Sequence, residues 1–330
     1  MIGVAINGFG RIGRIFLRTA LERNKNNFII KIINDPNGAE NAAYLFKHDT
    51  IYGLYKGEVK TKKDMLFIDR KAIKVISERE PEKINWKKLG VDIVVESTGA
   101  FTKKADAMKH INSGAKKVLI TAPSNDVDIT IVPGVNDNDL KKEHKIISLG
   151  SCTTNCLAPI VKVLNDEFEI ERAFYNTIHA YTNDQSLHDS FHRKRRRGRA
   201  AAYNILPTNS GASISVIQTI PELEGKLNGL AIRVPVICGS ITDLTASLKK
   251  PFTIEQINSA FKKASQNKMK GIIEYSEDEL VSSDIIGNKH SSVFDSLSTM
   301  RDGNLVKILS WYDNEYGYSN RIVDFLNMLK

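Results

Sequence analysis

The chain has 330 residues, enough for two domains of ordinary size with a sizeable core. Its 42% hydrophobic and 26% charged residues exclude a disordered or fibrous chain, and no apolar run reaches the ~18 residues of a membrane span, so no membrane partner is expected. A net charge of +9 suits anionic small substrates or nucleic acid, while three cysteines argue against a disulfide framework and for a reducing, cytoplasmic compartment.

Met1 leads straight into the apolar run "IGVAING", without the basic leader and cleavage pattern of a secretory signal. Ile2 to Ile6 read as a buried strand. A glycine turn follows, and Ile12, Ile15, Phe16 and Thr19 then recur at helical spacing. "FIIKIIND" is a second buried strand, closed by Asp35 and the breaker Pro36. "VDIVVEST" and "KKVLITAP" are further strands, with the helical stretch "KKADAMKHINSG" between them. Strands alternating with helices predict a Rossmann-type, doubly wound parallel sheet over 1–150. Gly8, Gly10 and Gly13 form G-x-G-x-x-G between the first strand and its helix. Such glycines permit a tight turn, a close backbone approach to a pyrophosphate, and close packing of helix on strand. The helix N-terminus then favours the phosphate charge. Asp35 ends the second strand about twenty residues on, where a carboxylate accepts from an adenosine ribose.

After Cys152 the apolar runs lengthen. "FYNTIHAYT", "GLAIRVPVICG", "SITDLTASL" and "LVKILSWYD" read as strands of a larger mixed or antiparallel sheet. "SGASISVIQTI" and "TIEQINSAFKKAS" read as helices, so 151–315 is expected to be an α+β catalytic domain. A long polar loop, 183–211, carries the basic run "RKRRRGR". Loops of that length in a compact domain are usually functional. The last segment, 316–330, reads as an amphipathic helix that completes the first domain.

"SCTTNC" holds two of the cysteines. C-x-x-x-C with no second pair does not fit a zinc site, so no metal is expected, and Cys238 sits far off in an apolar strand. The run to Phe168 reads as a helix, with Pro159 as a complication because it removes a backbone donor. Cys152 at its N-terminus has its thiolate favoured by backbone amides, and Cys156, one turn on, reads as a small buried packing residue. His179, at the end of an apolar strand, is the best candidate base. His48, His110, His144 and His290 look like surface positions, and His188 and His192 belong to the basic loop.

Taken together, "INGFGRIGR", "VDIVVESTG", "SCTTNCLAP", "HAYTNDQ", "RAAAYNILPT", "GKLNGLAIRVP", "LVSSD" and "WYDNEYGYS" resemble phosphorylating glyceraldehyde-3-phosphate dehydrogenases from end to end. The resemblance implies a Cys152 nucleophile with His179 as its partner, favouring the thiolate electrostatically and then taking a proton. It implies a substrate-phosphate position at Thr182, Asp184 and Arg233, and a position for attacking inorganic phosphate at Ser151, Thr153, Ser210 and Gly211. It places NAD along Gly8, Gly10, Arg11, Ile12, Gly13, Asp35, Arg79, Thr98, Gly99 and Thr121, with Asn314 and Tyr318 at the nicotinamide. The substrate implied is glyceraldehyde 3-phosphate, and the assembly a homotetramer. An erythrose-4-phosphate dehydrogenase-like paralogue is the alternative within the class, and an RNA-binding protein using the basic loop the alternative outside it. Without interleaved aromatics or a nucleic-acid-binding motif, the basic run is not expected to bind a specific nucleic acid. Departures are Leu149-Gly150 before Ser151, Val236 to Cys238 after "RVP", and Ser190-Phe191 where strict NAD users of the family carry Leu-Pro. The last leaves NADP use possible, against the like charge of Asp35.

Overall fold

The computed structural model describes residues 1–23 and 25–329. It divides into two compact units. The first comprises Met1–Ile131, Asn138–Ser151 and the chain from Ser319 on; the second comprises Val132–Asp137 and Cys152–Tyr318.

The first unit carries strands β1 (Ile2–Asn7), β2 (Phe28–Asn34), β3 (Val59–Lys62), β4 (Met65–Ile68), β5 (Lys71–Ile76), β6 (Ile93–Glu96), β7 (Lys117–Ile120), β8 (Ile129–Thr130) and β9 (Ile146–Ser148). They form one sheet in the order β3-β4-β5-β2-β1-β6-β7-β9-β8. From β5 to β8 every pairing is parallel; β3, β4 and β5 form an antiparallel meander at one edge. Helices α1 (Arg11–Glu22), α2 (Gly38–Lys47) and α3 (Lys104–Asn112) are the crossovers and cover. The core strands are buried on both faces: Val4, Ala5, Ile6, Val94, Val95, Val118 and Ile120 are fully enclosed. That is why they read as unbroken apolar runs rather than as alternating ones. The meander was not legible, since its strands are short and lysine-rich.

His110 corrects the expectation of a surface histidine. It is fully buried. Its Nδ1 accepts from Trp86 Nε1 at 3.2 Å, and its Nε2 faces Glu96 Oε2 at 3.2 Å. Its place on the inward face of α3, among lysines, disguised it.

In the second unit, α4 (Cys152–Phe168), α5 (Ala212–Thr219) and α6 (Ile254–Gln266) accompany a sheet of β10 (Ile170–Ala180), β11 (Leu206–Asn209), β12 (Leu227–Val234), β13 (Ser240–Leu248), β14 (Ile273–Ser276), β15 (Ser292–Asp302) and β16 (Leu305–Tyr312). The order is β11-β12-β10-β13-β16-β15-β14. The pairs β10–β12 and β14–β15 are parallel and the others antiparallel, so the sheet is mixed. Helix α4 runs through Pro159 without ending. The long polar loop is not structureless: it holds a 3-10 turn at Arg195–Gly198 and the edge strand β11. Cys238 lies not in a strand but in the bend between β12 and β13, buried. A last helix, α7 (Tyr316–Met328), stops short of the expected 330, and Lys330 is outside the described residues.

The core of this unit joins α4, α5 and α6 to the inner sheet face. Phe261 of α6 stacks on Phe294 of β15 with ring centroids 3.9 Å apart, and both are fully buried. Phe294→Ala is therefore expected to destabilise the protein by about 3–5 kcal/mol, read from the denaturant midpoint.

Candidate active site

The strand ends of the parallel sheet bring together the residues expected to cradle a dinucleotide. Gly8 leaves β1 with φ +92°, and a Cβ there would lie 2.7 Å from the Thr98 backbone nitrogen. A Cβ on Gly13 would lie 2.3 Å from the Gly8 carbonyl oxygen. Both positions therefore require glycine. Gly10 precedes α1 without a side-chain cap, and nothing lies within 4 Å of where its Cβ would be. The first-turn amides of α1 are thus left without a side-chain cap at a point where backbone approach is open, as a pyrophosphate requires. Ile12 follows in the first turn of α1.

Asp35, at the end of β2, is nearly buried and accepts from the Asn37 amide at 2.8 Å. Thr98 and Gly99 follow β6, and Thr121 follows β7, donating to the Glu96 carbonyl at 3.0 Å. These residues share the C-terminal edge of four neighbouring strands. Arg11 is already engaged, its Nη1 2.5 Å from Asp49 Oδ2, and Arg79 is exposed in the segment after β5. The residue that sequence reasoning missed here is Glu96. Its buried carboxylate accepts from Asn7 Nδ2 at 2.5 Å and from the Thr98 amide at 2.8 Å, bracing two strand ends of the cradle.

In the second unit, Cys152 opens α4 and His179 lies next to Ala180, the last residue of β10. Twenty-seven positions of sequence close to 3.3 Å between Cys152 Sγ and His179 Nε2. His179 Nδ1 lies 2.7 Å from the Ala180 carbonyl oxygen, which only accepts. Nδ1 therefore carries the proton, and Nε2 turns its lone pair to the sulfur. Burial pushes the imidazole down to about 3, and the positive charges of Arg233 and Arg197 push the same way. Burial also pushes the thiol up, against the opposing pull of Arg233 and of the Thr153 amide. Burial thus works against both the thiolate and the imidazolium, opposing the ion pair that the resemblance implies.

Tyr312, also missed, braces the pair. Its hydroxyl lies 2.9 Å from Thr153 Oγ1 and 2.6 Å from Thr177 Oγ1, and its ring meets His179 edge-on. Cys156 is fully buried, with Sγ 3.7 Å from the Ser310 carbonyl oxygen and its thiol pushed up to about 11 by burial.

Arg233 pairs with His179 across the β10–β12 register. Its Nη1 donates to Thr182 Oγ1 and to the Ala180 carbonyl, each at 3.1 Å. Its buried Nε has no acceptor among the described residues. An enclosed N–H without an acceptor is a donor left for a ligand, and an anion satisfies a guanidinium best. Asp184 does not face this donor set openly: Arg197 holds its carboxylate, and His192 lies 3.6 Å away. Arg197 was visible only as one charge of the basic run. It also reaches Thr208 Oγ1 at 3.0 Å, and Arg199 pairs with Asp189 at 2.7 Å, so part of that run is neutralised within its own loop. Ser210 and Gly211 lie just ahead of α5, where Ser210 Oγ accepts from the Ala212 amide at 3.3 Å and the space around Gly211 is open. Ser151 immediately precedes Cys152 in the chain. Asn314 and Tyr318 flank the start of α7, both buried. Among the described residues no group of three or more His, Cys, Asp or Glu side chains is placed to hold a metal ion, and no helix is long and apolar enough to cross a membrane.

Comparison with known proteins agrees with this geometry. Residues 2–104 match the model of the glyceraldehyde 3-phosphate dehydrogenase NAD binding domain, and residues 151–314 that of the C-terminal domain. Glyceraldehyde-3-phosphate dehydrogenase of Streptomyces coelicolor is 53% identical over 98% of this chain and 97% of its own. Glyceraldehyde-3-phosphate dehydrogenase 1 of Bacillus subtilis is 52% identical over 98% of this chain and 96% of its own. That of Geobacillus stearothermophilus is 51% identical over the same shares. The cofactor is accordingly NAD, and the chain belongs to the glyceraldehyde-3-phosphate dehydrogenase family.

Proposed function

We propose that the chain catalyses the phosphorylating oxidation of D-glyceraldehyde 3-phosphate by NAD and inorganic phosphate to 1,3-bisphosphoglycerate, in glycolysis or gluconeogenesis. The observation that carries this reading is the Cys152–His179 pair at 3.3 Å, with Arg233, half-buried and with its enclosed Nε lacking an acceptor among the described residues, beside it. Cys152 Sγ attacks the aldehyde carbon while His179 Nε2 takes the thiol proton and returns it to the oxygen, giving a hemithioacetal. NAD, when bound, supplies the acceptor for the hydride that leaves the former aldehyde carbon. His179 removes the hydroxyl proton as that hydride departs, and a thioester remains on Cys152. The amide of Cys152, at the start of α4, stabilises the developing oxyanion. Phosphate then adds to the thioester carbon, the sulfur leaves, and Cys152 recovers its proton from His179.

Arg233 and Thr182 serve the substrate phosphate, with Asp184 acting through Arg197. Ser151, Thr153, Ser210 and Gly211 serve the attacking phosphate. Gly8, Gly10, Arg11, Ile12, Gly13, Asp35, Arg79, Thr98, Gly99 and Thr121 serve NAD, and Asn314 and Tyr318 its nicotinamide end. In domain terms, 1–150 with 316–330 is the cofactor domain and 151–315 the catalytic one.

Omitting inorganic phosphate should stall hydride transfer after about one turnover per site, followed as absorbance at 340 nm. Sustained phosphate-independent turnover to the free acid would instead mark a non-phosphorylating dehydrogenase.

NAD is the preferred cofactor, with detectable NADP activity. Asp35 repels a 2′-phosphate. Ser190 and Phe191 are exposed, so within this chain Phe191 closes no pocket. Asp35→Ala should shift the ratio of kcat/KM values toward NADP, and an unchanged ratio would show that Asp35 does not serve the ribose.

A homotetramer is the assembly we favour. Phe174 and Leu230 on the second sheet, and Tyr203 and Ile205 in the polar loop, are apolar and exposed, which supports burial against further copies. The free cysteines support a cytoplasmic setting.

A further inference from the structure

Asn314 lies in the turn after β16 and is 5% exposed. Its Oδ1 accepts from Ser240 Oγ at 3.0 Å, and the Cys238 thiol lies 3.8 Å from the same oxygen. Ser240 Oγ in turn accepts from the Ala180 backbone N–H at 3.1 Å. A backbone N–H only donates, so the single hydroxyl proton of Ser240 is left for Asn314. This polarity orients the amide, with its carbonyl oxygen inward and its NH2 turned away. Among the described residues nothing accepts from Asn314 Nδ2. The Ala180 carbonyl, meanwhile, accepts from His179 Nδ1 at 2.7 Å and from Arg233 Nη1 at 3.1 Å. A single residue of backbone thus joins the base, the anion-site guanidinium and Ser240.

The bend that delivers Ser240 is built tightly. Gly239 has φ +87°, and a Cβ there would lie 2.1 Å from the Ser282 carbonyl oxygen. Cys238, one of the departures from the family pattern, places its Sγ 3.3 Å from Asp313 Oδ1. That oxygen also accepts from the Glu315 and Tyr316 amides at 2.9 and 2.8 Å, while Oδ2 accepts from the Gly287 amide at 2.8 Å. The turn carrying Asn314 is therefore held on one side by Cys238 and on the other by Gly287.

We propose that Ser240 is a positioning residue for the cofactor: by fixing the polarity of the Asn314 amide, it presents an N–H donor to the carbonyl of the nicotinamide carboxamide. This rests on the reading of Asn314 as the nicotinamide partner. Buried polar groups of fixed polarity discriminate strongly between donors and acceptors, because the wrong ligand atom leaves one of them unpaired.

The test is a double-mutant cycle of Ser240→Ala and Asn314→Ala. It is run on the dissociation constant for NAD without aldehyde, by fluorescence titration, and on kcat/KM for NAD. Ser240→Ala should weaken both by about 10-fold, Asn314→Ala by at least as much, and the double variant by no more than Asn314→Ala alone. Losses that multiply would overturn the proposal, since Ser240 would then act independently of Asn314. An Asn314→Ala variant equal to the parent would overturn it together with the reading of Asn314, a distinguishable result. Ser240→Thr, which keeps the hydroxyl, should recover most of the affinity lost in Ser240→Ala. If Ser240→Thr is as impaired as Ser240→Ala, the hydroxyl is not the operative group and the proposal fails.

Discussion

Cys152→Ser is expected to abolish aldehyde oxidation, lowering kcat by about 10⁴–10⁶, the scale on which a covalent nucleophile matters. NAD affinity should stay near that of the parent. The variant keeps the shape of the side chain, so the fold and the cofactor cradle in the first unit are untouched. What it removes is a sulfur that both adds to a carbonyl and leaves from a thioester. A serine hydroxyl beside the same imidazole is a far weaker acid, and the ester it would form holds on to its acyl group. Cys156→Ser is the internal control. Cys156 is fully buried with its thiol pushed up to about 11, so it offers no nucleophile at neutral pH. Most activity should survive its loss. Comparable damage in the two variants would mean that the other cysteine carries the chemistry.

His179→Asn should lower turnover by about 10²–10⁴, the range of general acid–base catalysis. Burial pushes the imidazole down to about 3, and its Nδ1 proton is committed to the Ala180 carbonyl. Nε2 is therefore an available base throughout the physiological pH range. Asparagine has comparable reach and polarity but cannot carry a proton between steps. Iodoacetamide should label Cys152 ahead of the other cysteines in the parent, and more slowly in the variant, because the thiol then loses its proton acceptor. An equal labelling rate in parent and variant would remove His179 from the activation of the sulfur, leaving at most a later role.

Much of the first unit was legible because parallel strands buried on both faces must be apolar along their length, as "IGVAIN" is. The three glycines of the cradle were readable for a related reason: two of them have no room for a Cβ. The β3–β5 meander was not readable, because short edge strands alternate with exposed lysines and leave no run. His110 was misread because its helix is charged on the other face. The pairing of Cys152 with His179 depends on two elements brought together from distant positions, so no local spacing announces it; the resemblance to a family supplied it. Electrostatics were the least legible part. The resemblance implies an ion pair, and only the structure shows that burial pushes the thiol up and the imidazole down, against it. Arg197, Tyr312, Glu96 and Ser240 act through other residues, and support of that kind leaves no mark in sequence spacing.

The central claim is a thioester on Cys152, and it is tested most directly by mass spectrometry of the acid-quenched enzyme. The protein is mixed with glyceraldehyde 3-phosphate and NAD in phosphate-free buffer, quenched within the first turnover, digested at low pH and mapped. The account predicts one phosphoglyceryl group per chain, carried on the peptide containing Cys152 and lost when inorganic phosphate is added before the quench. An unmodified Cys152 peptide from enzyme that has formed a full equivalent of NADH, or the acyl group on Cys156, would contradict it.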